Sequence, residues 1–462
     1  RLKSFDGSII PSESLYFREA VCWSRLTTGF IPFREHPMGV IPGDLSPCFY
    51  SESQNDLALG YMNSPCSGYF LDAINPTITT PVGDVAKIPF KVGIPSEQRA
   101  ISNTRKLTGA HRADWDAYER SWNFQTLPLL TAPSGPTSSL EFSYANWIIQ
   151  NRDTTAEMKR LEEDNNRIFI DAYGLKDELT PDVPAEQVTL TVNPAYRYGV
   201  QLSEEEQWVR FRQDTMAELI SFSIGCMMGR YSLDEPGLMY AHAGNIGFDA
   251  TRYKTFTADP DGIVPLTDEL WFEDDAANRV REFLLAVWGS ETLDENMAWL
   301  AESLGQKGNE TPDETIRRYL SSSFFKDHLQ TYKKRPIYWL FSSGKQKAFQ
   351  CLVYLHRYNE STLSRMRTLH VIPLSAKLNS YANKLEQDID ASTSTAEKKA
   401  LEKQLATLHN QQAELATFDE KLRHHADQRI SLDLDEGVKV NYGKFGDLLA
   451  EVKAVTGGKE DS

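Results

Sequence analysis

Met62-Asn63-Ser64, Val82-Gly83-Asp84-Val85-Ala86-Lys87-Ile88-Pro89 and Ile94-Pro95-Ser96-Glu97-Gln98, all within residues 57–101, decide how the first section of this chain is read. Leu57, Leu59, Tyr61, Met62 and Phe70 recur at helical spacing, so the stretch opens on an apolar helix that ends at Asn-Ser. A Gly-Asp turn, a short strand closing on Pro89 and a helix start at Glu97-Gln98 are expected to follow. Upstream, Ala20-Val21-Cys22-Trp23-Ser24 and Gly39-Val40-Ile41 read as short strands between turn signals. Residues 1–101 therefore predict a small mixed α/β domain.

The remaining sections are mostly helical, which makes the expected fold class α+β. Residues 102–139 read as a Trp-rich helical linker, ended by Pro128 and a Pro/Gly-containing loop at 131–136. Residues 140–373 read as a mainly helical support domain, with helices at 144–173, 204–228, 271–288 and 343–358. That section also holds a strand or hairpin at 188–192, a buried strand at 337–341 and an irregular Gly/Asp-rich insert at 241–262. Residues 374–462 read as a helical hairpin and tail. Leu401, Leu405, Leu408, Leu415, Phe418 and Leu422 step by three and four, and Ser392-Thr393-Ser394-Thr395 breaks and restarts the helix ahead of Glu397. The tryptophans at 115, 122, 147, 271, 288 and 299 are expected in cores or domain interfaces, and His424-His425 in solvent.

Composition excludes several classes. No run approaches the ~18 apolar residues of a membrane span, and a soluble cytoplasmic chain is expected. Cys22, Cys48, Cys66, Cys226 and Cys351 lie at irregular spacing with no Cys-x-x-Cys pair, which points to reduced thiols and no metal site. A net charge of -16 alone argues against nucleic acid, but its distribution does not. Residues 259–302 hold twelve acids against Arg279 and Arg281, whereas 326–367 hold nine cations against Asp327 and Glu360. A local positive segment suits a DNA-facing groove. A solvated charged face remains the plain alternative.

The 57–101 stretch resembles the target recognition domains of bacterial DNA methyltransferases and restriction specificity subunits. Four further blocks extend the likeness. They are Asp114-Trp115-Asp116-Ala117-Tyr118-Glu119-Arg120-Ser121-Trp122-Asn123-Phe124, Asn166-Arg167-Ile168-Phe169-Ile170-Asp171-Ala172-Tyr173-Gly174-Leu175, Gly229-Arg230-Tyr231-Ser232-Leu233-Asp234, and Tyr338-Trp339-Leu340-Phe341-Ser342-Ser343-Gly344-Lys345. Together they resemble the carboxyl-terminal half of the PglX family, the adenine-specific DNA methyltransferases of BREX phage-defence systems. The resemblance implies recognition of duplex DNA alongside an upstream methyltransferase domain that binds S-adenosylmethionine. Other BREX proteins or a phage-encoded inhibitor are further implied partners.

Catalytic residues are not expected in this chain. Asn75-Pro76-Thr77 and Asn193-Pro194-Ala195 lack the second proline and the aromatic with which an Asn-Pro-Pro-Tyr loop holds a flipped adenine. No Gly-rich turn for S-adenosylmethionine is evident either, so no cofactor is assigned here and a catalytic domain upstream is expected.

The DNA-contacting candidates fall in two groups. In the first section they are Arg25 and Thr27 after Trp23, and Arg34 with His36 in a loop bounded by Pro32 and Pro37. In the second they are Lys333, Lys334 and Arg335 before Pro336, then Ser343, Lys345 and Lys347, where a helix start is expected to hold a phosphate on free amides. Arg357, Asn359, Arg365 and Arg367 add donors. Two alternatives stand beside this reading: a separate specificity subunit, and an interaction scaffold docking partners through the acidic block and hairpin.

Overall fold

A computed structural model describes residues 12–131, 139–267 and 269–457. It is an α+β structure with two small sheets, and it divides into two compact units. Unit 1 comprises residues 1–115 and 148–207; unit 2 comprises 116–147 and 208–462. The boundary expected at residue 101 falls inside a helix, Glu97–Asp116. The loop expected at 132–136 and the tail at 458–462 lie outside the described residues.

In unit 1, β1 (Ala20–Trp23) runs between β2 (Phe33–His36) and β3 (Cys48–Phe49), antiparallel to both. All four β1 residues are buried, as their continuous apolar sequence requires. The Trp23 indole donates to the Thr80 carbonyl at 2.9 Å and so pins the loop after the helices. The apolar helix is two helices, α1 (Asn55–Met62) and α2 (Pro65–Ile74), because Pro65 starts a new first turn. Between them Asn63 pairs with β2: its amide donates to the Phe33 carbonyl at 3.0 Å and its carbonyl accepts the Phe33 N–H at 3.1 Å.

The helix α3 (Glu97–Asp116) approaches α1 at Gly60, where a Cβ would lie 2.3 Å from the Thr104 hydroxyl. Tyr61 stacks on Tyr173 at the end of α4 (Leu140–Tyr173), centroids 4.9 Å apart, and the Tyr173 hydroxyl donates to the Pro89 carbonyl at 2.8 Å.

Three local expectations are corrected in this unit. The Gly-Asp turn is a helical turn at 82–85, held by the Asn75 amide on Asp84 at 2.7 Å and by the Lys87–Asp84 ion pair, and the strand expected after it, closing on Pro89, does not form. Residues 39–41 form no strand. Residues 188–192 are also irregular, because the amides of Thr191 and Val192 are taken by the Asp114 carboxylate at 2.8 and 3.0 Å.

Unit 2 is organised by the antiparallel sheet β4 (Ile263–Pro265), β6 (Gln350–Tyr354) and β5 (Tyr338–Ser342), with β6 central and wholly buried. The expected helix at 343–358 is therefore a hairpin turn and a strand. Around the sheet pack α5 (Glu204–Met227), α6 (Ala276–Trp288), α7 (Leu293–Ser303), α8 (Pro312–Tyr319) and α9 (Phe325–Thr331). The hairpin of α10 (Ile372–Ala391) and α11 (Thr395–Asp427) closes through Leu374, Leu378 and Leu385 on one helix and Leu408, Leu415, Phe418 and Leu422 on the other.

Ser394 caps α11 by accepting the Glu397 N–H. Trp147 and Trp299 are buried, whereas Trp115 is half exposed and Trp122 fully exposed, which leaves neither in a core. Four cysteines are buried and Cys48 is partly so; all are free thiols. Among the described residues no helix is long and apolar enough to cross a membrane.

Candidate nucleic-acid interface

Lys333, Lys334 and Arg335 form a turn between α9 and β5, and the protein's own hydrogen bonds fix its shape. Lys333 and Lys334 both take left-handed backbone, φ 50° and 61°. A single such lysine costs roughly 1 kcal/mol, so two in succession persist only where the surroundings impose them. The imposition is visible. The Lys334 amide donates to the Leu329 carbonyl at 2.7 Å, the Lys333 amide to Gln330 at 3.2 Å and the Arg335 amide to Tyr332 at 3.0 Å.

On the far side, Nε2 of the buried His328 accepts the amides of Ile337 and Tyr338 at 3.0 and 3.2 Å. Burial, reinforced by the nearby Arg230 guanidinium, pushes the imidazole down to about 3, which keeps it a neutral acceptor. Tyr332 adds a brace by donating to Glu119 at 3.0 Å, and burial raises that carboxyl's pKa. All three cationic side chains point to solvent, and among the described residues none makes a side-chain hydrogen bond or ion pair.

At the other end of β5, about 13 Å of strand away, the turn 343–349 is arranged differently from the expected helix start. Its anion site is filled by the protein itself. The Glu414 carboxylate on α11 accepts the Ser343 hydroxyl at 2.7 Å, the Gln346 amide at 2.7 Å and the Ala348 amide at 3.2 Å. The amides expected to hold a phosphate are thus occupied, and Ser343 is internal. Lys347 donates to the Ser321 carbonyl at 2.8 Å, whereas Lys345 is exposed.

The other cations of this segment are structural in their contacts. Arg357 is fully buried: its guanidinium donates to Asn245 at 3.1 Å and to the carbonyls of Asp259 and Pro260, and it lies 3.8 Å above the Phe248 ring. No donor edge is left for a base, contrary to expectation. Beside it, burial and the adjacent Asp261 carboxylate raise the Asp259 pKa. The Asn359 carbonyl accepts from Ser361 and turns the chain. Arg365 is half buried against Thr362, and Arg367 grips Asp419 through two bonds of 2.7 and 3.0 Å. Among the described residues no group of His, Cys, Asp and Glu could hold a metal ion.

In unit 1, Arg34 lies on the edge strand β2, not in a loop. Its guanidinium donates to the Ser24 hydroxyl at 3.0 Å and remains exposed. His36 turns inward and is bonded to the Val40 carbonyl at 3.2 Å, which withdraws it from the surface. Arg25 pairs with Asp44 at 2.8 Å, and the Thr27 hydroxyl accepts the Gly29 amide.

Sequence reasoning passed over α3. Only Ala100, Asn103 and Thr104 of its twenty residues are buried, and Arg105, Lys106 and Arg112 stand on its open side, Arg112 bonded to Glu35 of β2 at 2.7 Å. Its scarcity of apolar residues was the available signal, since a helix polar nearly all round has no broad apolar face to bury.

No protein-family model matches the chain. It is 44% identical over 461 residues to the adenine-specific methyltransferase BrxX of Escherichia coli O9:H4 (strain HS), covering 97% of this chain and 37% of that protein. It is 36% identical over 439 residues to the adenine-specific methyltransferase PglX of Lacticaseibacillus casei (strain Zhang), covering 93% of this chain and 34% of that protein. The chain thus spans little more than a third of the length of these curated relatives.

Proposed function

We propose that this chain is the DNA-recognition part of an S-adenosylmethionine-dependent adenine-N6 DNA methyltransferase acting in a BREX phage-defence system. Its partners on this reading are duplex DNA and the methyltransferase domain of the same polypeptide. The observation that carries the proposal is the braced turn of Lys333, Lys334 and Arg335, in a chain whose relatives are adenine-specific methyltransferases. Cations held on an imposed backbone, with no acid among the described residues to neutralise them, are a phosphate contact already organised before DNA arrives.

Arg34, beside Ser24 on the open strand β2, has the exposed guanidinium needed to read a guanine edge. Methyl transfer is assigned outside these residues.

The test is fluorescence anisotropy on motif-bearing and randomised duplexes at several salt concentrations. Replacing Lys333, Lys334 and Arg335 by Ala should weaken binding alike on all sequences and flatten the log-log salt dependence by about 2 to 3, close to one unit per lost phosphate contact. Arg34→Ala should relax preference at one base pair. An unchanged salt slope in the triple variant would overturn the phosphate role.

A further inference from the structure

Unit 1 leaves an unusual share of its apolar side chains in solvent. Residues 12–92 hold 12 of the 26 exposed large hydrophobic residues of the described chain. Among the described residues the largest buried apolar cluster of unit 1 joins 16, against 63 in unit 2, although unit 1 is well over half as long. A unit with so small a core and so much uncovered apolar surface completes its burial against something else.

Six of those twelve lie at the two ends of the β1–β3 sheet. At one end Leu26, Leu45 and Ile78 are 60, 71 and 55% exposed. Their backbones adjoin: the Arg25 amide donates to the Leu45 carbonyl at 3.1 Å, the Thr27 amide to the Ile78 carbonyl at 3.0 Å, and Leu26 bridges to Thr79. At the other end Phe17, Met38 and Val40 are exposed around the bond from the Phe17 amide to the Val40 carbonyl and its return from Gly39 to Phe17. Phe17 is held there at φ 64°, a left-handed conformation that a bulky side chain rarely adopts.

We propose that these apolar ends of the sheet, Leu26 with Leu45 and Ile78 foremost, are where the remainder of the methyltransferase polypeptide docks on this chain. The inference rests on the reading of the chain as part of such an enzyme. On that reading the covering partner lies within the same polypeptide, as the curated relatives carry nearly two-thirds of their own length outside the matched section. The chemistry excludes the DNA backbone as occupant, since Leu, Ile, Met and Phe offer nothing to a phosphate. It matches a permanent interface, which resembles a core cut in two.

The experiment uses a full-length polypeptide that contains this chain. Leu26→Glu with Leu45→Glu and Ile78→Glu is compared with Leu238→Glu, an equally exposed apolar site of unit 2. The expected result is an increase of about tenfold or more in the rate of limited proteolysis between this chain and the remainder, with adenine methylation falling in step. The Leu238 variant should change neither.

Melting of the 462-residue chain carrying the same triple change guards against misfolding, and Leu26→Met in the full-length protein should behave as wild type. Wild-type proteolysis in the triple variant overturns the proposal. A loss of DNA affinity with unchanged proteolysis assigns the face to DNA, and a dilution-dependent change in oligomeric state assigns it to a second copy; either refutes docking. Failure of the DNA-binding reading is seen separately, in the salt slope of the Lys333, Lys334 and Arg335 variant.

Discussion

Lowering the pH should loosen the entry to β5 through one residue, His328. Its Nε2 accepts two backbone amides, and the protein holds its pKa near 3, whereas the unfolded chain releases it to 6.5. The folded pKa is the lower of the two, so between pH 6.5 and 3 the unfolded state binds the extra proton. Stability from this group is therefore complete above 6.5 and is lost as the pH falls towards 3. Each unit in that window costs about 1.4 kcal/mol, so a descent from pH 7 to 4.5 removes about 3 kcal/mol.

Carboxylates titrate over part of the same range, and the effect is isolated by comparing wild type with His328→Gln, whose amide oxygen still accepts but does not titrate. Urea unfolding of both proteins, followed by tryptophan fluorescence from pH 7 to 4.5, should show the two free energies converging by about 3 kcal/mol. Parallel profiles would refute the assignment of a neutral, acid-resistant imidazole at this position.

Other perturbations test the framework around the site. Glu414→Ala should cost about 2 kcal/mol and accelerate hydrogen exchange at the amides of Gln346 and Ala348, because three donors lose a charged acceptor together. Asp275→Ala should destabilise unit 2 by about 4 kcal/mol in thermal unfolding, since it strands the buried Arg317 guanidinium and removes the cap of α6. Gly229→Ala should cost about 3 kcal/mol by the same measurement: the residue sits at φ 74°, and its Cβ would lie 2.5 Å from the Phe248 ring.

The parts of the fold visible in the sequence are those fixed by local pattern. The leucine steps of α11, its Ser394 cap, the run of α4 and the strand after Pro336 all follow from neighbours a few residues apart. Residues 343–358 defeated that logic twice. The apolar run Cys351-Leu352-Val353-Tyr354 is buried on both faces, so it carries no alternation to separate strand from helix. The turn before it is held by Glu414, more than sixty residues away.

The candidate site divides the same way. Lys333, Lys334 and Arg335 are exposed as their charge suggests, but Arg357 reads identically in sequence and is enclosed by carbonyls from 259–260. His36 and Trp122 exchange their expected places, the histidine inside and the indole outside, for reasons only the packing contains.

The grip of Glu414 on the β5–β6 turn sets a rule for how the hairpin of α10 and α11 can change its length. A helix rotates by a hundred degrees with each residue. An insertion between Leu408 and Leu422 would swing either the carboxylate away from the turn or the leucine seam out of the core. Residues 386–400, by contrast, contain no buried position and none that packs on the core, and the tip can grow or shrink there. Related chains should therefore vary freely in length at that tip and keep the segment beside Glu414 unchanged in length, since even two added turns restore the rotation but shift the helix by about 10 Å.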